Sequence, residues 1–209
     1  MTISDTVLTK LPPLSYATIS KKVRDGDILL CAAHDPFSRL IGWSTKSPWS
    51  HVALAWRWPA LGRHIVFECV QQLGVRAVPL DRFIRETSSG QKPYPGKIIL
   101  ARHGFLGEGS AQAQATRASD LAKFAIDRIG DRFSSAEILK IALRIVVGRL
   151  DIHMPKTLGP DNEFICSEFV AKCFERIDIQ IQWDGLGFIA PADFADDPNV
   201  RAVARFRTT

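Results

Sequence analysis

The sequence has few cysteines and no long apolar run, and each shortage excludes a class of protein. Its four cysteines are too few for a disulfide scaffold, and no two of them form the Cys-x-x-Cys pair of a zinc cluster. No segment approaches the ~18 uninterrupted apolar residues of a membrane-spanning helix. Because 46% of the residues are apolar, we expect the chain to fold around an ordinary core without disulfides or metal.

A strong charge and a targeting signal are also missing. Lys and Arg number 27 against 22 Asp and Glu, and the densest basic run, Lys21-Lys22-Val23-Arg24, is short. Nucleic-acid-binding domains concentrate their basic residues in a stripe, so we expect no nucleic-acid partner. The first residues, MTISDTVLTKLPPLSYATIS, have neither the basic n-region nor the apolar h-region of a signal peptide. These absences predict a cytoplasmic protein.

The length of 209 residues suits a single domain covering residues 1–209. Within it, residues 1–24 are predicted to be a polar lead-in that ends at the turn signal Asp25-Gly26. The basic and apolar segment 136–160 is a candidate lid or insert.

Apolar periodicity predicts an α+β fold, with helices at either end of a small, mostly antiparallel sheet. Short apolar or alternating runs predict strands at residues 27–31, 50–56, 64–70, 74–78, 97–102 and 200–206, the last as a sheet edge. Helical spacing predicts helices at residues 35–43, 111–129, 136–147 and 163–177.

One predicted hairpin brings an imidazole and a carboxylate together. With its turn centred between Pro59 and Ala60, His51 lies opposite Glu68 on the same face, with Cβ atoms ~4.5–5.5 Å apart. A slip of one residue would separate them, so the contact depends on register. A carboxylate beside a histidine fixes its tautomer and stabilises the imidazolium. The alternatives are that His51 is an ordinary sheet histidine and that Glu68 only pairs with Arg63 or Arg76.

Cys166 is the candidate nucleophile. It falls in the first turn of the predicted helix at 163–177, after the capping residues Asp161 and Asn162. A thiol at a helix N-terminus near a protonated histidine has its pKa lowered from about 8.5 to roughly 3.5–7.5, so the thiolate predominates. The alternative is a small buried core residue, which is what we expect of the other three thiols: Cys31, Cys69 and Cys173.

The sequence resembles a known family in five segments. It is similar to the permuted papain-like group of the NlpC superfamily, the YiiX/YaeF-like proteins, across roughly residues 24–196. The matching segments are Gly26-Asp27-Ile28-Leu29, Ser47-Pro48-Trp49-Ser50-His51-Val52-Ala53, Val66-Phe67-Glu68-Cys69, Ile165-Cys166-Ser167-Glu168-Phe169-Val170 and Ala190-Pro191-Ala192-Asp193-Phe194.

The resemblance implies a circularly permuted papain-like fold and a cysteine amidase or peptidase that acts through an acyl-enzyme. In this role Cys166 is the nucleophile, His51 the general base and then acid, and Glu68 the orienting group. The neighbours Trp49, Ser50 and Ser167 are candidates for substrate contact. No cofactor or metal is expected. The substrate class is a small peptide, an amino-acid amide or an acyl compound, with cell-wall stem peptides as one source.

Two other functions stay open. On the same fold, a lipid acyltransferase or esterase would dock its helix at 136–147 on a membrane surface, although membrane contact is not expected. A non-catalytic binding module would hold a ligand without turnover, and its thiol would have an ordinary pKa. The sequence leaves the oligomeric state open.

Overall fold

The computed structural model describes residues 3, 5–33, 42, 45–71, 73–85, 94–133, 163–182 and 189–208. Across these residues, seven strands form one mixed sheet in the order β1-β9-β6-β2-β3-β4-β5, while β7 and β8 form a separate parallel pair. The strands are β1 (Pro13–Leu14), β2 (Asp27–Ala33), β3 (His51–Trp58), β4 (Arg63–Val70), β5 (Gly74–Pro79), β6 (Gly96–His103), β7 (Arg132–Phe133), β8 (Glu163–Phe164) and β9 (Val200–Phe206).

Within the large sheet, neighbouring strands are antiparallel except β1 and β9, which are parallel. The described helices are α1 (Asp5–Lys10), α2 (Tyr16–Ser20), α3 (Leu80–Phe83), α4 (Ala111–Asp127), α5 (Cys166–Glu175) and α6 (Pro191–Asp196). The predicted α+β class and the predicted strands are therefore confirmed. The predicted helix at 111–129 is confirmed as α4, which begins where the Ser110 hydroxyl accepts a hydrogen bond from the Ala113 N–H.

Side chains alternate between the two faces of the sheet, and both faces are buried. On β2, Ile28 and Leu30 point to the face that α5 covers with Phe169 and Val170. Leu29 and its alternate neighbours point to the opposite face, which α2 and α3 cover. The sequences of these strands are therefore continuous apolar runs and do not alternate between apolar and polar residues. The prediction that helices lie at the ends of the sheet is wrong, because both faces need cover.

The register of the β3–β4 hairpin differs from the predicted one. Leu54 pairs with Phe67 and Ala55 with Val66, so the observed pairing is shifted by two residues. The reason is the connection, where Pro59–Leu61 form a turn of 3-10 helix and Gly62 takes a left-handed conformation (φ 59°). Because side-chain direction repeats every two residues, an even shift keeps every side chain on its predicted face.

The N-terminal segment is part of the fold, so the prediction of a polar lead-in is wrong. Ile3, Ile19 and Val23 are buried, and β1 pairs with β9. The Ile3 N–H donates to the Ala195 carbonyl at 2.8 Å. Because β1 adds a strand beyond it, β9 is not the edge that the sequence predicts.

The predicted helix at 163–177 begins later, at Cys166. Residues Glu163–Phe164 pair instead with Arg132–Phe133, and Ile165 is the N-cap residue. The predicted caps, Asp161 and Asn162, lie outside the described residues. So do the predicted helix at 136–147, the candidate lid at 136–160 and most of the predicted helix at 35–43.

Candidate active site

His51 and Glu68 touch on one face of the sheet. His51 is the first residue of β3, and its Nε2 lies 2.9 Å from Oε2 of the buried Glu68 on β4. The observed register places Glu68 level with Ala53 rather than His51. Diagonal neighbours on an antiparallel pair remain within reach when the side chains are long. The predicted contact is therefore confirmed, although the predicted register is wrong.

Cys166 meets the other side of the same imidazole. It is the first residue of α5, and its side chain hydrogen-bonds with that of His51. Since Glu68 occupies Nε2, the ring nitrogen left for the thiol is Nδ1. The backbone N–H groups of Val52 and Ser167 also donate to the sulfur. The three side chains thus form a line, thiol–imidazole–carboxylate, with His51 in the middle.

The charges in this line favour an ionised thiol. Burial opposes ionisation of Cys166, but the His51 charge and the hydrogen bonds to the sulfur outweigh it and lower the pKa of the thiol. Burial also opposes protonation of His51, but Cys166 and Glu68 together raise the pKa of His51 to about 10. The position of Cys166 at a helix N-terminus favours negative charge as well. A thiolate beside an imidazolium is the expected resting pair.

The other three thiols behave as the sequence predicts for core residues. Cys31, Cys69 and Cys173 are fully buried, and burial raises the pKa of each. All four cysteines are free thiols. The contrast makes Cys166 the thiol that ionises most readily among the four.

Glu68 has a second partner, Arg76 on β5. Arg76 Nε and Nη2 both donate to Glu68 Oε1, at 2.9 and 2.7 Å. His51 and Arg76 are alternative partners of Glu68 in the sequence prediction, whereas the carboxylate binds both at once. Burial acts to raise the pKa of Glu68, but the bonds and charges of His51 and Arg76 outweigh burial and lower it.

Two aromatic rings near His51 were not predicted. The ring of Phe83 on α3 stacks on the His51 ring with centroids 6.3 Å apart, and Tyr94 stacks on Phe83 at 6.4 Å. Tyr94 also hydrogen-bonds to the side chain of Cys31, which pairs with His51 across β2 and β3. Phe83 and Tyr94 lie outside the elements that the sequence predicts, and no sequence pattern signals that they meet at His51.

The three predicted substrate contacts are bonded to the protein itself. Trp49 is 1% exposed and its indole N–H donates to the Ile3 carbonyl. The Ser50 hydroxyl accepts from the Ala33 N–H at 3.2 Å, and the Ser167 hydroxyl donates to the Ile189 carbonyl at 2.6 Å. All three side chains are buried and support the segments that carry His51 and Cys166, while their contact with substrate stays a prediction.

A pocket of about 280 Å³ lies at the other end of the sheet. It is lined by the arginines Arg24, Arg57 and Arg102 and by one face of α4. Arg102 is held there by a bidentate ion pair with the buried Asp27. The thiol, imidazole and carboxylate do not line this pocket, so its volume says nothing about their chemistry.

The described residues show neither a metal site nor a membrane-spanning helix. In the part of the chain that the structure describes, no group of three or more His, Cys, Asp or Glu side chains is arranged to hold a metal ion. Among the described helices, none combines the length and apolar character needed to cross a membrane.

Comparison with known proteins gives a structural likeness only. The chain is similar to the crystal structure of the metalloprotein yiiX from Escherichia coli O157:H7, with a TM-score of 0.60 and 18% sequence identity. The match covers 87% of this chain and 97% of that one. No family model matches the sequence, and neither does any curated protein. At this identity the likeness shows the fold alone.

Proposed function

We propose that this protein is a cysteine-dependent amide hydrolase, an amidase or peptidase that acts through an acyl-enzyme. The observation that carries the proposal is the unbroken hydrogen-bonded line from Cys166 through His51 to Glu68, with the thiol at the first residue of a helix. In this role Cys166 is the nucleophile, His51 the base and acid, and Glu68 the group that orients the ring.

Acylation begins from the thiolate–imidazolium pair. The Cys166 sulfur attacks the amide carbonyl carbon, a C–S bond forms, and negative charge develops on the carbonyl oxygen. As the tetrahedral species collapses, the C–N bond breaks and His51 gives its proton to the departing nitrogen. The amine leaves, and the acyl group remains on sulfur as a thioester.

Deacylation uses the neutral imidazole that acylation leaves behind. His51 accepts a proton from water as the water oxygen attacks the thioester carbonyl. The C–S bond then breaks, the carboxylic acid leaves, and Cys166 departs as a thiolate beside the re-formed imidazolium. The balance is amide plus water to acid plus amine.

The chain order of the residues supports placing this site on a permuted papain-like fold. His51 and Glu68 lie on strands that precede the helix of Cys166, which is the order expected of the YiiX/YaeF-like group. The structural likeness to yiiX over most of both chains is consistent with that group. Membership of the group and the permuted fold are parts of the proposal.

The test is a substrate panel with a cysteine variant. Peptide amides, including cell-wall stem-peptide amides, are compared with acyl esters for wild type and Cys166→Ala. We expect amide turnover by wild type and a loss of at least about 10³-fold in the variant, because single nucleophile losses in such sites cost that much or more. Cys173→Ala, about two turns along the same helix, is the matched control and keeps its activity.

Three outcomes contradict the proposal. Equal labelling by iodoacetamide at neutral pH in wild type and Cys166→Ala would show that Cys166 is not the reactive thiol. Turnover of acyl esters with binding to liposomes, and none of amides, would favour the lipid acyltransferase or esterase. No turnover of either class, with an ordinary pKa for Cys166, would favour the binding module.

A further inference from the structure

Arg76 contacts the buried carboxylate on the side away from His51. Oε2 of Glu68 faces His51 Nε2, whereas Oε1 accepts both bonds from Arg76. The Glu68 side chain is 3% exposed and that of Arg76 25%, so the pair is largely removed from water. Both carboxylate oxygens are therefore taken by charged or chargeable donors, which leaves the carboxylate little freedom to rotate.

The pairing of β4 with β5 fixes this contact. Glu68 and Arg76 are directly opposite each other in the register, which puts their side chains on one face. Gly74 starts β5 with φ +69°, and a Cβ there would collide with the Asp131 carbonyl oxygen. That oxygen accepts from the Val75 N–H at 2.9 Å. These contacts fix the register of β5 and therefore the position of Arg76.

The charge of Arg76 changes what Glu68 does to the imidazole. A lone buried carboxylate would stabilise the imidazolium strongly and also repel the thiolate behind it. Paired with a guanidinium that does not deprotonate, the carboxylate keeps its hydrogen-bond direction while its net charge is offset. An imidazolium held too tightly is a poor acid toward a leaving group, so the offset bears directly on the proposed reaction.

The two other thiols close to His51 stay neutral near neutral pH. Burial raises the pKa of Cys31 and of Cys69, so both stay neutral. The titratable and charged side chains next to His51 and Cys166 are Cys31 on β2, Glu68 and Cys69 on β4, Arg76 on β5, Tyr94 before β6, and Glu168 on α5.

We propose that Arg76 is a positioning residue for the Cys166–His51–Glu68 line: it holds the Glu68 carboxylate in its orientation and offsets its charge beside the imidazole. This inference rests on the proposed function, because it assigns Arg76 a part in the same site. Arg76 acts through Glu68 and is not assigned a contact with substrate.

The test follows two titrations in wild type and Arg76→Met, which removes the charge and keeps an apolar stem. NMR of labelled histidine reports the ionisation of His51, and the pH dependence of iodoacetamide alkylation reports the ionisation of Cys166. Removing a nearby cation raises the pKa of every acid around it, so both transitions move to higher pH by about 1 unit. Arg76→Lys restores the charge and returns both transitions toward wild type.

Arg57→Met is the matched control. Arg57 lies on β3 like His51, but it pairs with Asp25 near the far end of that strand. We expect Arg57→Met to leave the titrations of His51 and Cys166 at the same pH as in wild type, because exposed charges beyond about 10 Å are screened at ordinary salt. A shift as large as that of Arg76→Met would show that overall charge, and not the Glu68 contact, sets the titrations, and would overturn the proposal.

Unchanged titrations in folded Arg76→Met, or shifts to lower pH, would also overturn the proposal. If Arg76→Met does not fold, Arg76→Gln provides the same comparison, because it removes the charge and keeps an N–H donor. His51 is titrated in the Cys166→Ala background as well, where no turnover is expected. A shift there without amide hydrolysis by wild type would keep the role of Arg76 and refute the proposed function.

Discussion

Two buried carboxylates lie on the strands that flank β3, Asp27 on β2 and Glu68 on β4, and each is paired with an arginine. Asp27, at the start of β2, binds Arg102 through both of its oxygens at 2.6 and 2.8 Å and also accepts from the Arg24 N–H. Glu68 gives one oxygen to Arg76 and the other to His51. Both carboxylates are almost fully buried.

The difference between the two lies in the remaining partner. Every described partner of Asp27 is a guanidinium or a backbone group, none of which titrates near neutral pH. The second partner of Glu68 is a ring that takes up or releases a proton and that touches a thiol. The two ion pairs are similarly buried but differ in role. The Asp27–Arg102 pair holds strands together, whereas the Glu68–Arg76 pair also contacts a group that exchanges a proton. Burial and pairing alone do not mark a reactive site.

The largest expected effect comes from removing the titrating ring. In His51→Ala no imidazolium offsets the burial of Cys166, so the pKa of the thiol rises instead of falling. Alkylation of wild type increases as pH rises through the lowered pKa, and in the variant the same increase moves to higher pH. At neutral pH we expect at least about a tenfold loss of alkylation rate and loss of amide turnover, measured by mass spectrometry and substrate assay. An unchanged alkylation profile would contradict the coupling.

An effect on stability alone is expected at the other carboxylate. Asp27→Ala leaves the buried Arg102 without its partner, which costs about 3–5 kcal/mol in the free energy of unfolding. Urea denaturation measures this loss, and in the folded variant the pH dependence of Cys166 alkylation stays that of wild type. A shift in that pH dependence would show that the Asp27 ion pair is coupled to Cys166 and would contradict the comparison.

The smallest effect is expected at the exposed ion pair beside Asp27. Arg57 and Asp25 are bonded at 3.1 Å but stand partly in water, where such pairs contribute about 0–1 kcal/mol. Arg57→Met should therefore change the urea midpoint only slightly. A loss as large as that of Asp27→Ala would mean that exposure does not separate the two pairs.

Much of the site followed from local patterns in the sequence. Alternation along two strands placed His51 and Glu68 on one face, and helical spacing placed Cys166 in the first turn of a helix. The predicted contact is correct although the predicted register is wrong by two residues, because side chains at every second residue of a strand point to the same face. The error itself arose at Pro59–Leu61, where a 3-10 turn uses more residues than a tight turn, a choice that side-chain patterns do not encode.

The contacts that the sequence did not predict are those between distant elements. The Phe83 stacking on His51 joins α3 to β3, and the burial of Ile3 depends on Trp49 and on Ala195 far along the chain. The Glu68–Arg76 pair was within reach of the sequence as one alternative. Periodicity could not show that the two oxygens of the Glu68 carboxylate bind His51 and Arg76 at the same time.

The helix that carries Cys166 begins without the usual polar cap. Its N-cap residue is Ile165, which offers no side-chain hydrogen bond to the first turn. A Ser or Asp at this position would stabilise the helix by about 1 kcal/mol, but its oxygen would compete for the amide groups and for the positive end of the helix. For the proposed reaction we expect that end to face the substrate oxygen as it gains charge, as the donors of an oxyanion hole do. Under the proposed function, the uncapped helix start gives up this stability and leaves the helix N-terminus open to the substrate.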